Sequence, residues 1–394
     1  MNLKLPIYMD HHATTPVDPQ VLDAMLPYFT EKFGNAASVT HVFGWDAQEA
    51  VEKARAGIAS SLGADPKEII FSSGATESDN LALKGATRAN AERGNHLVVS
   101  TIEHNAVLDS ARALEKDGIA VTYVPVGANG VVDPDDVRRA ITDQTVLISV
   151  MTANNEIGTL QPIGAIGHYA RERGILFHTD ASQAIGKVEF ILSDDPIDML
   201  SISGHKIYGP KGIGALFVRR HRPRVKLTAL IDGGGHERRL RSGTLPVPLI
   251  VGLAKAVELA DKLRRAETDS IGRLRDRLMN AILSRLEGVS VNGAMDTRLP
   301  NNLNLCFEGV DAEGMLTNLK DVALSSGSAC SSAEVEPSHV LKAIGLTDEQ
   351  ASGSIRFGLG RSTTEAEVDH VANRIVEVVE SLRRLAPQRP TSVR

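Results

Sequence analysis

Residues 175–220 read ILFHTDASQAIGKVEFILSDDPIDMLSISGHKIYGPKGIGALFVRR. Two short apolar, β-branched runs, ILFHTD and DMLSIS, each close on residues with chemistry: Asp180 and Gln183 after the first, Ser203, His205 and Lys206 after the second. Both groups therefore fall at strand C-termini, the rim where open α/β sheets bind ligands. The third run, GALFVRR, follows GPKG too closely for a helical crossover, so it is expected to enter the sheet antiparallel. Upstream, EIIFSS, HLVVST, VTYVPV and VLISVM alternate with helix-length amphipathic stretches. Strands interleaved with helices imply parallel crossovers, which place helices on both faces of a mostly parallel sheet. The expected fold class is α/β: a mostly parallel seven-stranded sheet flanked by helices in a large domain, plus a smaller α+β domain.

Working outward, Thr76 followed by Asp79 in GATESDNLALKG is an N-cap pattern that opens a helix directly after EIIFSS. Pro134 and Pro162 stand where helices can begin. From about Val247 a long, charged helical stretch runs through about Leu286, followed by alternating NNLNLCF, the loop SSGSACSSA, a short SIRFGLG strand and a final amphipathic helix from Glu365 to about Leu385. The expected division is a large domain over 16–259 and a small domain formed by 1–15 and 260–394. At 394 residues, two cores are the expectation.

The composition excludes several functions. With 43 Lys+Arg against 49 Asp+Glu, the formal net charge is −6, which argues against nucleic acid or an anionic membrane as the main partner. The two cysteines, Cys306 and Cys330, form no C-x-x-C pair, so neither a disulfide framework nor a thiolate zinc site is expected. No stretch approaches the roughly 18 uninterrupted apolar residues of a spanning helix, and the first residues lack an apolar leader core. A cytoplasmic protein acting on a small molecule is the expectation.

The candidate chemistry gathers on the rim. An acid such as Asp180 can hold a protonated ring nitrogen, and a lysine partly removed from water, such as Lys206, can form a Schiff base with an aldehyde. The alternative for Lys206 is a solvated loop lysine. SSGATESDN, residues 72–80, presents a helix N-terminus and the Thr76 hydroxyl to an anion, or is simply a capped helix. His104, after HLVVST, can stack on a planar group or shuttle a proton, or serve structurally. Asn155 can bind a cofactor oxygen or a carboxylate, or form a turn. Arg356 suits a bidentate carboxylate clamp or a structural ion pair.

Cys330 sits in a run of small residues that leaves a thiol room to move, whereas Cys306 alternates as a strand core position, where a serine would be a buried hydroxyl without a partner. GGGHERRLRSGT, residues 233–244, suits phosphate recognition or a subunit contact. Adjacent His11 and His12 diverge in most backbones and have no third ligand at a recognisable spacing, so no metal site is expected.

Taken together, DHHATTP, GNAAS, SGATESDN, TIEHNAVLD, NNEIG, HTDASQAIGK, SGHKIYGPKGIGAL, GGGHERRLRSGTLP, SSGSACSS and SIRFGLGR resemble the IscS/NifS-type cysteine desulfurases, which are class V aminotransferase-like, fold-type I enzymes using pyridoxal 5'-phosphate. The resemblance runs from about residue 6 to about 385. It implies conversion of L-cysteine to L-alanine, with the sulfur passed to an enzyme cysteine as a persulfide.

On this carry-over Lys206 is the Schiff-base lysine, Asp180 pairs the pyridine nitrogen, Gln183 bonds the ring hydroxyl and His104 stacks on the ring. Ala75, Thr76, Ser203 and His205 hold the phosphate, with Thr244 contributing to the phosphate site of the other subunit of a homodimer. Asn155 and Arg356 fix the substrate carboxylate, and Cys330 takes the sulfur. An iron–sulfur scaffold protein or another sulfur acceptor is the implied partner. Housekeeping members commonly carry a longer tail past the final helix than the one ending here at Arg394, a difference that bears on scaffold docking. Selenocysteine lyase, another class V lyase or aminotransferase, and a non-catalytic sulfur-assembly platform are the competing readings. Cys330 within SSGSACSS favours the desulfurase over the lyases, and retention of Lys206, Asp180, His104 and Cys330 together argues against a platform.

Overall fold

The seven apolar runs become the seven strands of one sheet in the computed structural model, which describes residues 3–221, 224–326 and 337–385. After a two-residue strand β1 (Ile7–Tyr8), the sheet is built from β2 (Ile69–Ser72), β3 (His96–Ser100), β4 (Ala120–Val124), β5 (Thr145–Ser149), β6 (Leu176–Asp180), β7 (Met199–Ser203) and β8 (Gly214–Val218). Their spatial order is β2-β8-β7-β6-β5-β3-β4. Pairing is parallel from β7 through β4, and β8 runs antiparallel to both β2 and β7, as expected for GALFVRR.

Every residue of β2, β3 and β5 through β8 is buried, because helices cover both faces. The edge strand β4 is largely exposed or half-buried. Period-2 alternation splits the apolar residues between two cores. Ile69, Phe71, Val98, Ile148, Phe177, Leu200 and Phe217 face one, and Ile70, Leu97, Val99, Leu147, Leu176, Met199 and Leu216 face the other. Each such side chain contributes about 1.5–3 kcal/mol by leaving water.

The helix after β2 spans Ala75–Asn80 and continues as one helical run through Ala89, but its cap differs from the Thr76/Asp79 pattern. Gly74 is the N-cap, at φ 151°, and makes no side-chain cap. That conformation suits glycine, and the first turn is secured by Glu77, whose carboxylate accepts the Ser73 N–H at 2.8 Å. Thr76 is exposed at the open end, and Asp79 turns into the core. Pro134 does open a helix, Pro134–Ala140, with Asp133 as its cap, and Pro162 caps Ile163–Glu172.

Beyond the sheet, the helix Val247–Leu283 runs unbroken for 37 residues, about 55 Å at 1.5 Å per residue. Ile250, Leu253, Ala256 and Val257 pack on the sheet, whereas Ile271, Leu278 and Ile282 belong to a second core with Val368, Val371, Ile375 and Val379 of the final helix, Glu365–Leu385. That core covers an antiparallel sheet ordered β12 (Ser325–Ser326), β13 (Ser354–Gly358), β10 (Asn302–Phe307) and β9 (Val289–Val291). The N-terminal strand β1 joins this part by parallel pairing with β11 (Val322–Ala323).

Cys306 lies buried on β10 as its alternation predicts, but its Sγ is 3.3 Å from the Gln350 carbonyl, so a hydroxyl there has an acceptor within reach. Cys330 and the 387–394 tail lie outside the described residues.

Candidate active site

The topology sends several segments to one rim. Because β8 is antiparallel to both β7 and β2, the C-terminal end of β2 lies on the same side as those of β3, β5, β6 and β7. The open helix start at Gly74–Thr76, His104, Asn155, Asp180 and the Ser203–Lys206 turn therefore meet at one edge. Gly214 allows the closest approach: a Cβ there would stand 2.7 Å from Gly74 Cα.

Asp180 ends β6 and is buried, with Oδ1 accepting the Ser182 N–H at 2.8 Å. Lys206 closes a short 3-10 turn after β7. Its Nζ donates to the carbonyls of His12, at 2.5 Å, and Ala13, at 2.8 Å. His12 is fully buried. Its Nδ1 meets Gln183 Oε1 at 3.0 Å, and Gln183 Nε2 donates to the His12 carbonyl at 2.9 Å. Burial, with Arg356 nearby, pushes His12 well below the usual imidazole range, so it carries a single ring proton. The N-terminal DHHAT segment thus holds both Lys206 and Gln183, a role that the sequence reading did not assign. His11 faces elsewhere, with Nδ1 2.9 Å from the Gly358 carbonyl. Among the described residues no three His, Cys, Asp or Glu side chains gather as a metal-binding group.

His104 caps the helix Asn105–Lys116, its Nδ1 accepting the Ala106 N–H at 3.1 Å, which leaves Nε2 to carry the proton. Burial lowers its proton affinity; Lys206 adds to this, and Asp180 opposes it. Ser203 is buried, and His205 Nδ1 lies 3.1 Å from Thr14 Oγ1. Burial and the cations Lys206 and Lys211 push His205 down to about 4, so it stays neutral at physiological pH. Ala75 is half-buried beside the exposed Thr76.

Arg356, on β13, is nearly inaccessible and does form a structural pair: Nη2 donates to Asp10 Oδ1 at 2.8 Å and Nη1 to the Asn155 carbonyl at 3.0 Å. Its Nε has no partner, so one N–H stays available. Asp10 was not singled out by sequence, and His12 was weighed there only as a metal ligand; both are held by long-range contacts, of 346 residues for Asp10 with Arg356 and 171 for His12 with Gln183. Lys187 is another unassigned amine near the site, donating to the Gln183 carbonyl at 3.0 Å, and burial and Lys206 push it down to about 8.

The 233–244 segment is anchored at the β2 edge. Arg55 makes two 2.8 Å hydrogen bonds to Glu237, whose Oε2 also accepts the Phe71 N–H at 2.8 Å. Glu237, Arg238 and Arg239 all take positive φ, at 45°, 58° and 67°, which costs about 1–3 kcal/mol each for such residues. The buried fork holds that turn in place, and Thr244 emerges from it exposed.

The family description Aminotransferase class-V matches residues 7–371. The chain belongs to that family. Within it, the chain is 54% identical over 386 residues to a protein of Rickettsia rickettsii (strain Iowa) named cysteine desulfurase IscS, covering 98% of this chain and 94% of that one. Among solved structures, a NifS-like protein superposes with a TM-score of 0.89 at 36% identity, covering 96% of this chain and all of that one. A structure described as SspA in complex with cysteine superposes with a TM-score of 0.79 at 42% identity, over 90% of this chain and 98% of that one. The family and the fold expected from the sequence are both borne out.

Proposed function

We propose that the chain is a cysteine desulfurase dependent on pyridoxal 5'-phosphate, taking the sulfur of L-cysteine and releasing L-alanine. The observation that carries this reading is the meeting of Lys206 and Asp180, from adjacent strands, with an open helix start on one rim, in a chain 54% identical to a named desulfurase.

The donor set fits the cofactor. Lys206 Nζ supplies the amine for its aldehyde, Asp180 the carboxylate for its ring nitrogen, His104 a planar group above the ring, and Gln183 a side chain for the ring hydroxyl. The Ala75–Thr76 helix start, Ser203 and His205 line the phosphate end, where free N–H groups and the helix dipole favour an anion. When bound, the cofactor supplies the electron sink that allows a Cα–H bond to break near neutral pH.

The chain's own residues do the rest. Arg356 and Asn155 orient the substrate carboxylate, and Lys206 Nζ moves the proton at Cα. Cys330 thiolate accepts the substrate sulfur: the Cβ–S bond breaks, an S–S bond forms, and its electron pair stays with the carbon skeleton that leaves as alanine.

A homodimer completes the site in this reading, with Thr244 serving the partner's phosphate end. Two features support it: the exposed, anchored 233–244 turn, and the apolar residues Leu22, Leu26, Phe29, Phe33, Phe43 and Trp45, all left in water by a single chain. We place the boundary of the large domain at residues 16–259 and the enzyme in the cytoplasm, handing sulfur to a scaffold or another acceptor protein. No helix among the described residues is long and apolar enough to cross a membrane.

The test is direct. Purified protein given L-cysteine should release alanine and sulfide in equal amounts under reducing conditions, and Lys206→Ala should abolish both. Alanine formed at an unchanged rate by Cys330→Ser would move the reading to a class V lyase.

A further inference from the structure

Behind Asp180 lies a buried cluster that the reaction above does not use. Asp79 is fully buried, and neither carboxyl oxygen has a hydrogen-bond partner. The imidazole of His178 faces it, Nε2 standing 3.6 Å from Oδ1, beyond hydrogen-bond length. His178 is already engaged on both sides: Nδ1 lies 2.8 Å from Ser149 Oγ and Nε2 3.0 Å from Ser201 Oγ. A neutral imidazole satisfies this arrangement by donating on one side and accepting on the other, since a serine hydroxyl serves either role. Burial pushes His178 down to about 4, so it brings no positive charge to Asp79.

Two other carboxyls face the same region. Asp180 stands on β6, two residues after His178 and so on the same face of the strand. Glu103, between β3 and His104, accepts from Ser100 Oγ at 2.5 Å and from the Met151 N–H at 2.8 Å through Oε1, while its buried Oε2 has no partner. Burial drives the proton affinity of Asp79 well up and Asp180 adds to it; the nearby Ser201 hydroxyl opposes them, Glu103 adds a smaller push, and burial raises Glu103 to about 8. A buried carboxylate with only the Ser201 hydroxyl near it as a donor, and a carboxylate as neighbour, is costly, whereas the neutral acid brings its own O–H.

We propose that Asp79 is a proton-bearing positioning residue: a neutral acid behind Asp180, it confines the buried negative charge to the group that faces the cofactor's ring nitrogen and turns its O–H toward the His178–Ser201 pair. This rests on the reading of Asp180 given above. An ionised Asp79 would place a second negative charge beside that contact and compete for the same proton.

The experiment uses the holoenzyme. Infrared spectra at neutral pH should show a protonated carboxylic-acid carbonyl component that is lost in Asp79→Asn, with Glu103→Gln and Glu156→Gln separating the contributions of the two other buried acids, raised to about 8 and about 7. In parallel, the visible absorbance of the bound cofactor is titrated with pH. Asp79→Leu, which removes the O–H, should weaken cofactor retention about tenfold, equivalent to about 1.4 kcal/mol, and move the absorbance midpoint. Asp79→Asn, which keeps a neutral donor, should restore both to within about twofold. A carboxylic-acid region unchanged in Asp79→Asn, or a midpoint moved as far by Asn as by Leu, overturns the proposal. If Asp79→Leu does not fold, the infrared comparison decides alone. Asp180→Asn separates the two claims: a visible band and midpoint identical to wild type would remove the Asp180 reading while leaving the infrared result on Asp79 in force.

Discussion

At the β2 edge of the main sheet, Arg55 and Glu237 meet in two parallel 2.8 Å hydrogen bonds, and Phe71 N–H and the Ile69 carbonyl bond to the same pair. At the rim, Asp79 and Glu103 are equally buried, yet three of their four carboxyl oxygens have no partner. The Arg55–Glu237 fork matches a buried charge with an opposite charge of the right shape, and the result is an anchor for the 233–244 turn. In the second, acids are surrounded by neutral groups and by one another, so protons rather than ion pairs settle the charge. Saturated pairing builds scaffold, whereas incomplete pairing beside a reactive centre keeps protonation adjustable.

The comparison can be broken at its strongest point first. Glu237→Gln leaves the Arg55 guanidinium buried against a neutral amide, and stability should fall by about 3–5 kcal/mol. Chemical denaturation measures this directly. A loss below about 1 kcal/mol would mean that the fork is no better than a surface pair.

Glu103→Gln should behave in the opposite way. The folded state holds the Glu103 proton up to about 8, against an ordinary value of 4.5, so the folded protein binds more protons than the unfolded chain in between. Wild-type stability from this group is therefore present below about 4.5 and lost as the pH rises toward 8. The variant, which cannot ionise, should gain stability relative to wild type across that window, and paired melting curves at several pH values would show it. A difference between the two proteins that does not change with pH would sink the idea that Glu103 is neutral. The smallest effect is expected at Cys306→Ser. Because the Gln350 carbonyl can accept the new hydroxyl, the cost should be about 1 kcal/mol, with turnover intact.

Which of these regions could be read from sequence follows from how local each one is. The seven strands, the antiparallel GALFVRR run, the helix starts at Pro134 and Pro162 and the burial of Cys306 were legible because each is written in a short stretch by period or by flanking residues. The helix after β2 was legible too, but not its cap. Gly74 adopts a backbone conformation that frees Thr76 from capping and lets Asp79 turn inward, and a residue-type pattern does not register backbone angle. His178 carried an available signal: two residues before Asp180 on a strand, it had to share that residue's face.

The contacts of His12 with Gln183 and of Asp10 with Arg356 span 171 and 346 residues, and nothing local announces them. The three carboxyls were likewise illegible as a group, because only the packing of strands and helix brings them together.

The most direct measurement uses the two amines nearest the site. Lys187 and Lys206 are both withdrawn from water, and either is chemically able to condense with an aldehyde. Holoenzyme reduced with borohydride and digested for mass spectrometry should carry the pyridoxyl group on Lys206, and Lys206→Ala should lose the label altogether. A label on Lys187 in the wild-type protein, with Lys206 unmodified, would contradict the account.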